Sequence, residues 1–286
     1  MKLYAISDLH VRYERNRQAL LELPSYPEDW LILGGDIGDT LGDLEFALAT
    51  LVPRFRQVVW VPGNHELWVL PSDPIGLRGE AKYHALVSLC RAYNVLTPEA
   101  PYAYWTGPNT TYVIAPLFLL YDYSFRPDDI AEADAVNWAM ESDVLCTDEL
   151  LLSPEPYASR QAWCESRCRL TEARLTQIPA EYPLVLINHF PLRRDLVRLS
   201  RIPRFSLWCG TRRTELWHRQ FNVAVVVTGH LHMRATDWRD GVRFEEVSLG
   251  YPQNWQQERG IGAYLREILP GPTDPPPASV KPQWHR

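Results

Sequence analysis

Residues 30–39, with the sequence WLILGGDIGD, contain the pattern that decides the fold of this 286-residue chain. Four apolar residues precede two glycines and the carboxylate of Asp36, which predicts a buried strand that ends in a tight loop. Ligands of open α/β sheets bind at this carboxyl edge of the strands. Taken alone, the pattern also fits an aspartate that caps a helix or closes a turn, so the other strand ends must decide.

Four other apolar runs in the chain end in Asp, Asn or His in the same way. Residues two apart in extended backbone point to the same side, so Asp8 with His10, and His230 with His232, can each hold one ion. Five of the eight histidines lie at such strand ends, which independent surface or core histidines do not explain. The polar residues at these four ends are Asp8, His10, Asn64, His65, His189, His230 and His232.

The segments between these runs predict how the strands are arranged. Helical patterns over residues 15–23 and 41–51 separate the first three strands, which is typical of βαβ units and predicts parallel strands with their carboxyl ends at one edge. Further helices are predicted over 75–93 and 159–177, and a further strand over 111–115. The fold class is therefore α/β.

The predicted domain covers residues 1–269. Within it, residues 120–180 are rich in Tyr, Trp and acidic residues, and we expect a lid-like insertion there because structureless connections of this length are uncommon. The proline-rich tail, 270–286, has little apolar periodicity and receives no function.

Composition excludes several classes of protein. A net charge of −6 and a pI near 5.8 argue against binding to nucleic acid or to an anionic membrane. No signal peptide and no run of eighteen apolar residues is present, so we expect a cytoplasmic protein. Five cysteines favour free thiols over a disulfide framework, and Cys164 with Cys168 lacks the second pair of ligands that a structural zinc needs. The oligomeric state is left open.

The polar residues at the strand ends predict a two-metal site. Three carboxylate or carboxamide groups and four imidazoles are too many for one ion, and Asp36 can use both oxygens to bridge two. In such sites a hydroxide held between the ions attacks phosphorus, which is hydrolysis of a phosphate ester. Glycine-rich motifs for dinucleotides or nucleoside triphosphates are absent. The seven predicted ligands are Asp8, His10, Asp36, Asn64, His189, His230 and His232.

The five motifs resemble those of the calcineurin-like metallophosphoesterases, in order, over about residues 2–250. They are Asp8-x-His10, Gly35-Asp36, the GNHE sequence at 63–66, His189, and Gly229-His230-x-His232. The resemblance implies a two-sheet sandwich flanked by helices and a centre of manganese and iron; the ligand types also admit zinc.

The same resemblance assigns roles residue by residue. Asp8, His10, Asp36 and His232 would hold one metal, and Asp36, Asn64, His189 and His230 would hold the other. His65 would contact the phosphate and stabilise or protonate the leaving oxygen. The simpler alternative is that His65 only packs beside Asn64.

Longer strings resemble one branch of that family, the actinobacterial phosphopantetheinyl hydrolases. This resemblance implies a phosphodiesterase that removes 4′-phosphopantetheine from the serine of holo acyl carrier protein. The alternatives are a small-molecule phosphomonoesterase, a cyclic-nucleotide phosphodiesterase and a non-catalytic scaffold with the same fold. The strings are PGNHELW at 62–68, FLLYDYSF at 118–125, DELLLSPEPY at 148–157, FSLWCGT at 205–211 and VSLGYP at 247–252.

Two features of the sequence bear on that substrate. Eight arginines and only two acidic residues lie between Pro191 and Gln220, which favours docking of an acidic carrier protein; a solvated surface stretch is the alternative. Several aromatic residues could line a slot for the pantetheine arm, although aromatics in such numbers are more often core. The candidate substrate contacts are Asn64, His65, Arg193, Arg194, Arg212, Arg213, Tyr121 and Trp208, with Tyr123, Tyr251 and Trp255 as further candidates for the slot.

Overall fold

The computed structural model of the chain describes residues 1–71, 73, 76–272 and 281–285. In chain order the strands are β1 (Leu3–Ile6), β2 (Tyr26–Leu33), β3 (Phe55–Trp60), β4 (Ala103–Thr106), β5 (Thr111–Pro116), β6 (Leu184–Ile187), β7 (Val223–Thr228), β8 (Ala235–Arg239), β9 (Val242–Glu246), β10 (Arg266–Leu269) and β11 (Gln283–Trp284). The α-helices are α1 (Glu14–Leu21), α2 (Leu41–Leu51), α3 (Gly79–Ala92), α4 (Ala135–Met140), α5 (Asp148–Leu151), α6 (Arg160–Leu175) and α7 (Trp217–Gln220).

The strands form two sheets, with the orders β10-β1-β2-β3 and β11-β8-β9-β7-β6-β5-β4. In the first sheet β1, β2 and β3 are parallel, and Leu3 pairs with Trp30. In the second sheet β5, β6, β7 and β9 are parallel. The predicted two-sheet α/β sandwich and its βαβ units are confirmed. Since parallel strands end at one edge, the loops that follow β1, β2, β3, β6 and β7 meet there.

The apolar runs are continuous because each central strand is buried on both faces. Alternate side chains point between the sheets or outward against the helices. On β2, Ile32 packs between the sheets, whereas Leu31 and Leu33 pack against helices such as α2. The layer between the sheets contains Ile32, Val59, Val185, Ile187, Val225 and Val227.

Observed helix bounds follow the predicted ones closely where capping residues mark the ends. Helix α2 spans the predicted residues because Thr40 accepts a hydrogen bond from the Asp43 N–H. Helix α6 starts after Ser159, which caps it in the same way. Helix α3 begins at Gly79 and not at the predicted position 75, which lies outside the described residues.

The predicted insertion at 120–180 contains α4, α5 and α6, and its role as a lid stays a prediction. The insertion contacts the loop after β3 through its backbone. The Val69 N–H donates to the Leu151 carbonyl, and Trp68 and Leu152 form an isolated antiparallel β-bridge. In the tail, β11 pairs with β8, and positions 273–280 and 286 lie outside the described residues. Among the helices of the described residues, none is both long enough and apolar enough to cross a membrane.

Candidate metal centre

The loops after β1 and β7 bring one group of ligand atoms together. His232 Nε2 lies 3.0 Å from Asp8 Oδ1 and 3.2 Å from His10 Nε2. Asp8 and His10 are fully buried. These three residues place their ligand atoms within 4.8 Å of one another, which is close enough to surround one ion.

The loops after β2, β3 and β6 form a second group around Asp36. Asp36 Oδ2 lies 3.3 Å from His189 Nε2 and 3.8 Å from His65 Nε2. Asp36 also groups with His189 and His230, and separately with His10 and His65, again within 4.8 Å. Asp36 therefore stands between the two groups of ligands.

The backbone at this edge adopts a conformation that side chains rarely tolerate. Five of the candidate ligands have positive φ angles, in the left-handed region where non-glycine residues are strained. Strain of this kind persists where the surrounding structure holds it, and it is concentrated at functional sites. The five residues are Asp8 (54°), His10 (42°), Asp36 (53°), His230 (72°) and His232 (52°).

Packing behind the ligands explains two residues of the motifs. Gly35 has a φ of +89°, and a Cβ there would lie 2.6 Å from the Gly63 nitrogen. The buried Glu66 carboxylate accepts hydrogen bonds from the N–H groups of Asp36, Ile37 and Gly63. Glu66 therefore fixes the loop after β2 against the loop after β3, a role that the sequence did not reveal.

Several ligand atoms are buried without a hydrogen-bond partner among the described residues. They include Asn64 Oδ1, His189 Nε2 and His230 Nε2. The other end of each anchored side chain is occupied, since His189 Nδ1 lies 2.9 Å from the Gly34 carbonyl and Asn64 Nδ2 donates to Asp148. Buried polar atoms without partners are costly, and atoms directed into one small space are what a metal ion satisfies.

Burial and neighbouring charges shift the pKa values of this edge in both directions. Burial lowers the pKa of His10 to about 3, and burial followed by the nearby His189 lowers the pKa of His230 to about 3, so both rings are neutral at pH 7. Burial opposes ionisation of Asp8 and Asp36, yet His232 and His189 hold the pKa of the respective carboxyl below its usual range. Burial opposes the charged rings of His189 and His232, but Asp36 raises the pKa of His189 to about 10 and Asp8 raises the pKa of His232 above its ordinary value. Metal binding would displace the proton of His189, because neutral imidazoles and ionised carboxylates are the forms that bind metals.

Residues 1–234 match the family model described as calcineurin-like phosphoesterase. The chain belongs to this family. It is 47% identical over 272 residues to the acyl-carrier-protein phosphodiesterase PptH of Mycobacterium tuberculosis, covering 94% of this chain and 84% of the relative. The chain is also similar to the crystal structure of phosphopantetheinyl hydrolase (PptH) from that organism, with 46% identity and a TM-score of 0.91. This match covers 96% of this chain and 98% of the PptH chain.

A putative 5′-nucleotidase from Staphylococcus aureus is far less similar, with 13% identity, a TM-score of 0.38, and coverage of 85% of this chain and 48% of that chain. The resemblance to calcineurin-like phosphoesterases and to their phosphopantetheinyl hydrolases is confirmed, as is the prediction of a hydrolase of the phosphodiesterase type. Phosphoesterases of this family use a binuclear metal centre, and the ligand cluster of this chain fits one.

His65 of this phosphoesterase is held by residues of three loops. Its Nδ1 lies 2.8 Å from Asp39 Oδ1, and Arg12 donates to Asp39 Oδ2 at 2.6 Å. The indole of Trp68 packs on the imidazole with ring centroids 3.6 Å apart. Burial disfavours the charged ring, but Asp36 and Asp39 raise the pKa of His65 above its ordinary value. Asp39 lies three residues after Asp36, yet nothing in the local sequence distinguished it from a turn residue.

The ligands open into a cleft with a volume of about 330 Å³. Tyr251 lines this cleft and stacks on His10 at a centroid distance of 4.5 Å. The apolar wall consists of Leu145, Leu199, Ile202, Phe205 and Leu231.

The structure corrects the predicted aromatic slot. Tyr121 and Trp208 are fully buried, and the Trp208 indole donates to Glu149 at 2.7 Å. Neither side chain can contact a substrate, because both form part of the core behind the cleft. Tyr123 and Trp255 are also buried, so Tyr251 is the candidate from that set that lines the cleft.

The predicted basic stretch is largely neutralised by acidic residues, most of which lie outside the stretch. Six of its eight arginines form ion pairs, for example Arg212 with Asp128 at 2.6 Å and Arg213 with Glu165 at 3.4 Å. Arg193 pairs with Asp195 at 2.8 Å. Counting acids within the stretch missed these partners, because most are distant in sequence. Within the described part of the chain, the guanidinium groups of Arg194 and Arg201 have no such partner.

Proposed function

We propose that the chain hydrolyses holo acyl carrier protein to the apo protein and free 4′-phosphopantetheine, by cleaving the phosphodiester on the serine side. The observation that carries this proposal is the convergence of the family's ligand residues around Asp36, in a chain nearly half identical to a phosphodiesterase that acts on acyl carrier protein. The family and the cleft supply the chemistry, and the relative supplies the substrate class.

The residues at the cleft base divide into two metal sites that share Asp36. Three atoms support this division, because they are buried and have no hydrogen-bond partner among the described residues: Asn64 Oδ1, His189 Nε2 and His230 Nε2. His189 and His230 also group with Asp36, and Asn64 lines the same cleft as His230. Manganese and iron suit this mixture of oxygen and imidazole donors, and zinc is compatible with it. One site would use Asp8, His10, Asp36 and His232, and the other Asp36, Asn64, His189 and His230.

Two bound ions would supply an activated water and stabilise charge on the phosphoryl oxygens. The protein supplies the proton for the leaving group. His65 Nε2 faces the cleft at 3.8 Å from Asp36 Oδ2, while Nδ1 is held by Asp39. An imidazole oriented in this way can donate a proton to the departing serine oxygen, which is general-acid catalysis.

The pantetheine arm would lie on the apolar wall of the cleft. Ile202 and Leu145 are 44% and 45% exposed at its outer end, whereas Phe205 and Leu231 lie deeper beside His230. An apolar wall of this kind suits the methyl and methylene groups of the arm, which it would contact without any ion pair. Arg201 precedes Ile202, is exposed and has no ion-pair partner among the described residues, so it would offer a positive charge near this outer end to an acidic carrier protein.

Intact-mass spectrometry of a holo carrier protein incubated with enzyme and Mn²⁺ tests the proposal. We expect loss of the mass of phosphopantetheine and release of the free phosphorylated arm. If the holo mass is unchanged while a phosphomonoester or a cyclic nucleotide is hydrolysed quickly, the corresponding alternative replaces the carrier-protein assignment. If no substrate is turned over and less than one ion per chain binds, the scaffold alternative holds.

A further inference from the structure

Asp148 is a fully buried carboxylate to which neither the motifs nor the family assignment of ligands gives a role. It lies on α5, in the segment 120–180, and reaches into the loop after β3. Its Oδ1 accepts hydrogen bonds from Asn64 Nδ2 at 2.9 Å and from Trp68 Nε1 at 2.6 Å. One oxygen of the inserted segment therefore contacts two residues of the GNHELW sequence.

The first of these bonds determines which way the Asn64 carboxamide points. A carboxamide has a donating and an accepting end of nearly the same shape, and the surroundings select the orientation. Asp148 Oδ1 accepts the NH₂ group, so Asn64 Oδ1 points away from it, where it is buried and has no partner among the described residues. A metal ion binds a carboxamide through this oxygen and not through the NH₂ group.

The second bond acts on His65. The Trp68 indole, held by Asp148, packs on the imidazole with centroids 3.6 Å apart. Asp39 fixes the ring at Nδ1, and the indole restricts its tilt. The same Asp148 oxygen therefore supports the side chain of one candidate ligand and that of the candidate general acid.

We propose that Asp148 is a positioning residue that keeps the Asn64 oxygen directed at the metal centre and holds Trp68 against His65. This inference rests on the proposed role of Asn64 as a metal ligand. For this role the side chain at position 148 must provide an oxygen that accepts hydrogen bonds, since Asn64 and Trp68 both contact it through N–H donors. An amide in place of the carboxylate retains such an oxygen, whereas an apolar side chain of the same size does not.

The test compares Asp148→Asn with Asp148→Leu in the full-length metal-loaded enzyme. Metal retention is measured by elemental analysis after dialysis against graded chelator, and the Mn²⁺ electron paramagnetic resonance spectrum is recorded. We expect Asp148→Leu to retain metal about 10–100-fold less tightly and to show an altered spectrum, as is usual when the partner of a ligand is lost. Asp148→Asn should stay within a few-fold of the wild type.

Glu149→Leu is the matched control from the same helix. Glu149 accepts bonds from Trp208 Nε1 at 2.7 Å, Tyr123 Oη at 2.6 Å and Arg160 at 2.9 Å. Among the described residues it forms no hydrogen bond or ion pair with the GNHELW loop. This variant should lower Tm and leave metal retention unchanged. Asp148→Ala carries the test if Asp148→Leu does not fold.

Two results would overturn the inference. A folded Asp148→Leu or Asp148→Ala enzyme with wild-type retention shows that Asn64 needs no such partner. An Asp148→Asn enzyme as impaired as Asp148→Leu shows that charge and not an acceptor is required. Asn64→Leu separates this failure from failure of the proposed function, because normal retention in that variant removes Asn64 from the ligand set altogether.

Discussion

The strand-end loops and the arginine stretch at 193–219 are both rich in residues that suggest a function, but their side chains are paired differently in the fold. The loops after β2 and β6 bring Asp36 and His189 to within 3.3 Å, and ligand atoms there remain unpartnered among the described residues. In the arginine stretch, by contrast, most guanidinium groups are paired with acids. Polar groups that the fold leaves without hydrogen-bond or ion-pair partners therefore indicate function better than the number of charged residues in a stretch of sequence.

The largest expected effect comes from Asp36→Asn, which breaks the strand-end cluster at its centre. Asp36 belongs to two of the three ligand groups, so loss of its charge weakens both proposed metal sites. We expect kcat/KM to fall by more than the roughly 10²–10⁴-fold that a general acid contributes. Elemental analysis should show reduced metal, and the exposed Asp134→Asn is the control. Full metal content with normal turnover would contradict the central position of Asp36.

The next effect separates proton transfer from metal binding within the same cluster. His65→Ala should lower kcat by roughly 10²–10⁴-fold while both metals stay bound, because the imidazole acts on the leaving group. Asp39→Asn should cost about 10–100-fold, since it acts only through His65. Metal loss in His65→Ala would show instead that His65 is a metal ligand. Its ligand atom lies within 4.8 Å of those of His10 and Asp36, so this alternative is geometrically possible.

The sequence predicted the strand-end cluster well because local pattern and topology agree there. An apolar run followed by Gly-Asp fixes both the strand and the loop, and parallel pairing then brings distant loops to one edge without further information. It could not predict Glu66 or Asp148 in their supporting roles. Glu66 binds N–H groups of the loops after β2 and β3, and Asp148 belongs to the DELLLSPEPY string, to which the resemblance assigns no role in the site.

The sequence predicted the substrate contacts poorly because exposure and pairing are tertiary properties. Tyr121 and Trp208 carry no periodic mark that distinguishes a core aromatic from a cleft aromatic. The edge strand β10 and the strand β8, next to the edge, were not predicted either, since their polar and charged residues mask the alternation. The apolar wall, formed by residues such as Leu145 and Ile202, depends on the approach of two separate loops.

A prediction of intermediate size tests the wall against the rest of the arginine stretch. Ile202→Asp should lower kcat/KM on the carrier protein by about 10-fold or more, because one buried aliphatic contact is worth roughly 1.5–3 kcal/mol. A small chromogenic ester should be spared. Leu216→Asp, at another exposed apolar residue of the stretch, is the matched control and should behave as the wild type. Equal losses on both substrates would place Ile202 in the fold and not in recognition.

Charge reversal gives a smaller effect and compares paired with unpaired arginines directly. Arg201→Glu should lower kcat/KM on the carrier protein a few-fold at low salt, and the difference should fade at physiological ionic strength as exposed charges are screened within about 8 Å. Arg213→Glu, which loses its pair with Glu165, should affect the carrier protein less. A larger effect of Arg213→Glu would restore the docking surface predicted from the sequence.

The smallest effect concerns the structural role of the paired arginines, at Asp195. Burial would raise the pKa of this carboxyl, but bonds from Arg193 and Arg239 hold it below its usual value. Because the folded pKa is depressed, the stability contribution is present above the unfolded value near 3.9 and is lost as pH falls through the folded pKa. Because the site is about half exposed, this contribution to the free energy of unfolding is less than about 1 kcal/mol at neutral pH.

Asp195→Asn should therefore be slightly less stable than the wild type in urea at pH 7, and the difference should shrink below about pH 4. Asp128→Asn, which removes the exposed partner of Arg212, should change stability less at either pH. A difference for Asp195→Asn that grows on acidification would show that the arginines do not stabilise this loop through the ionised carboxylate.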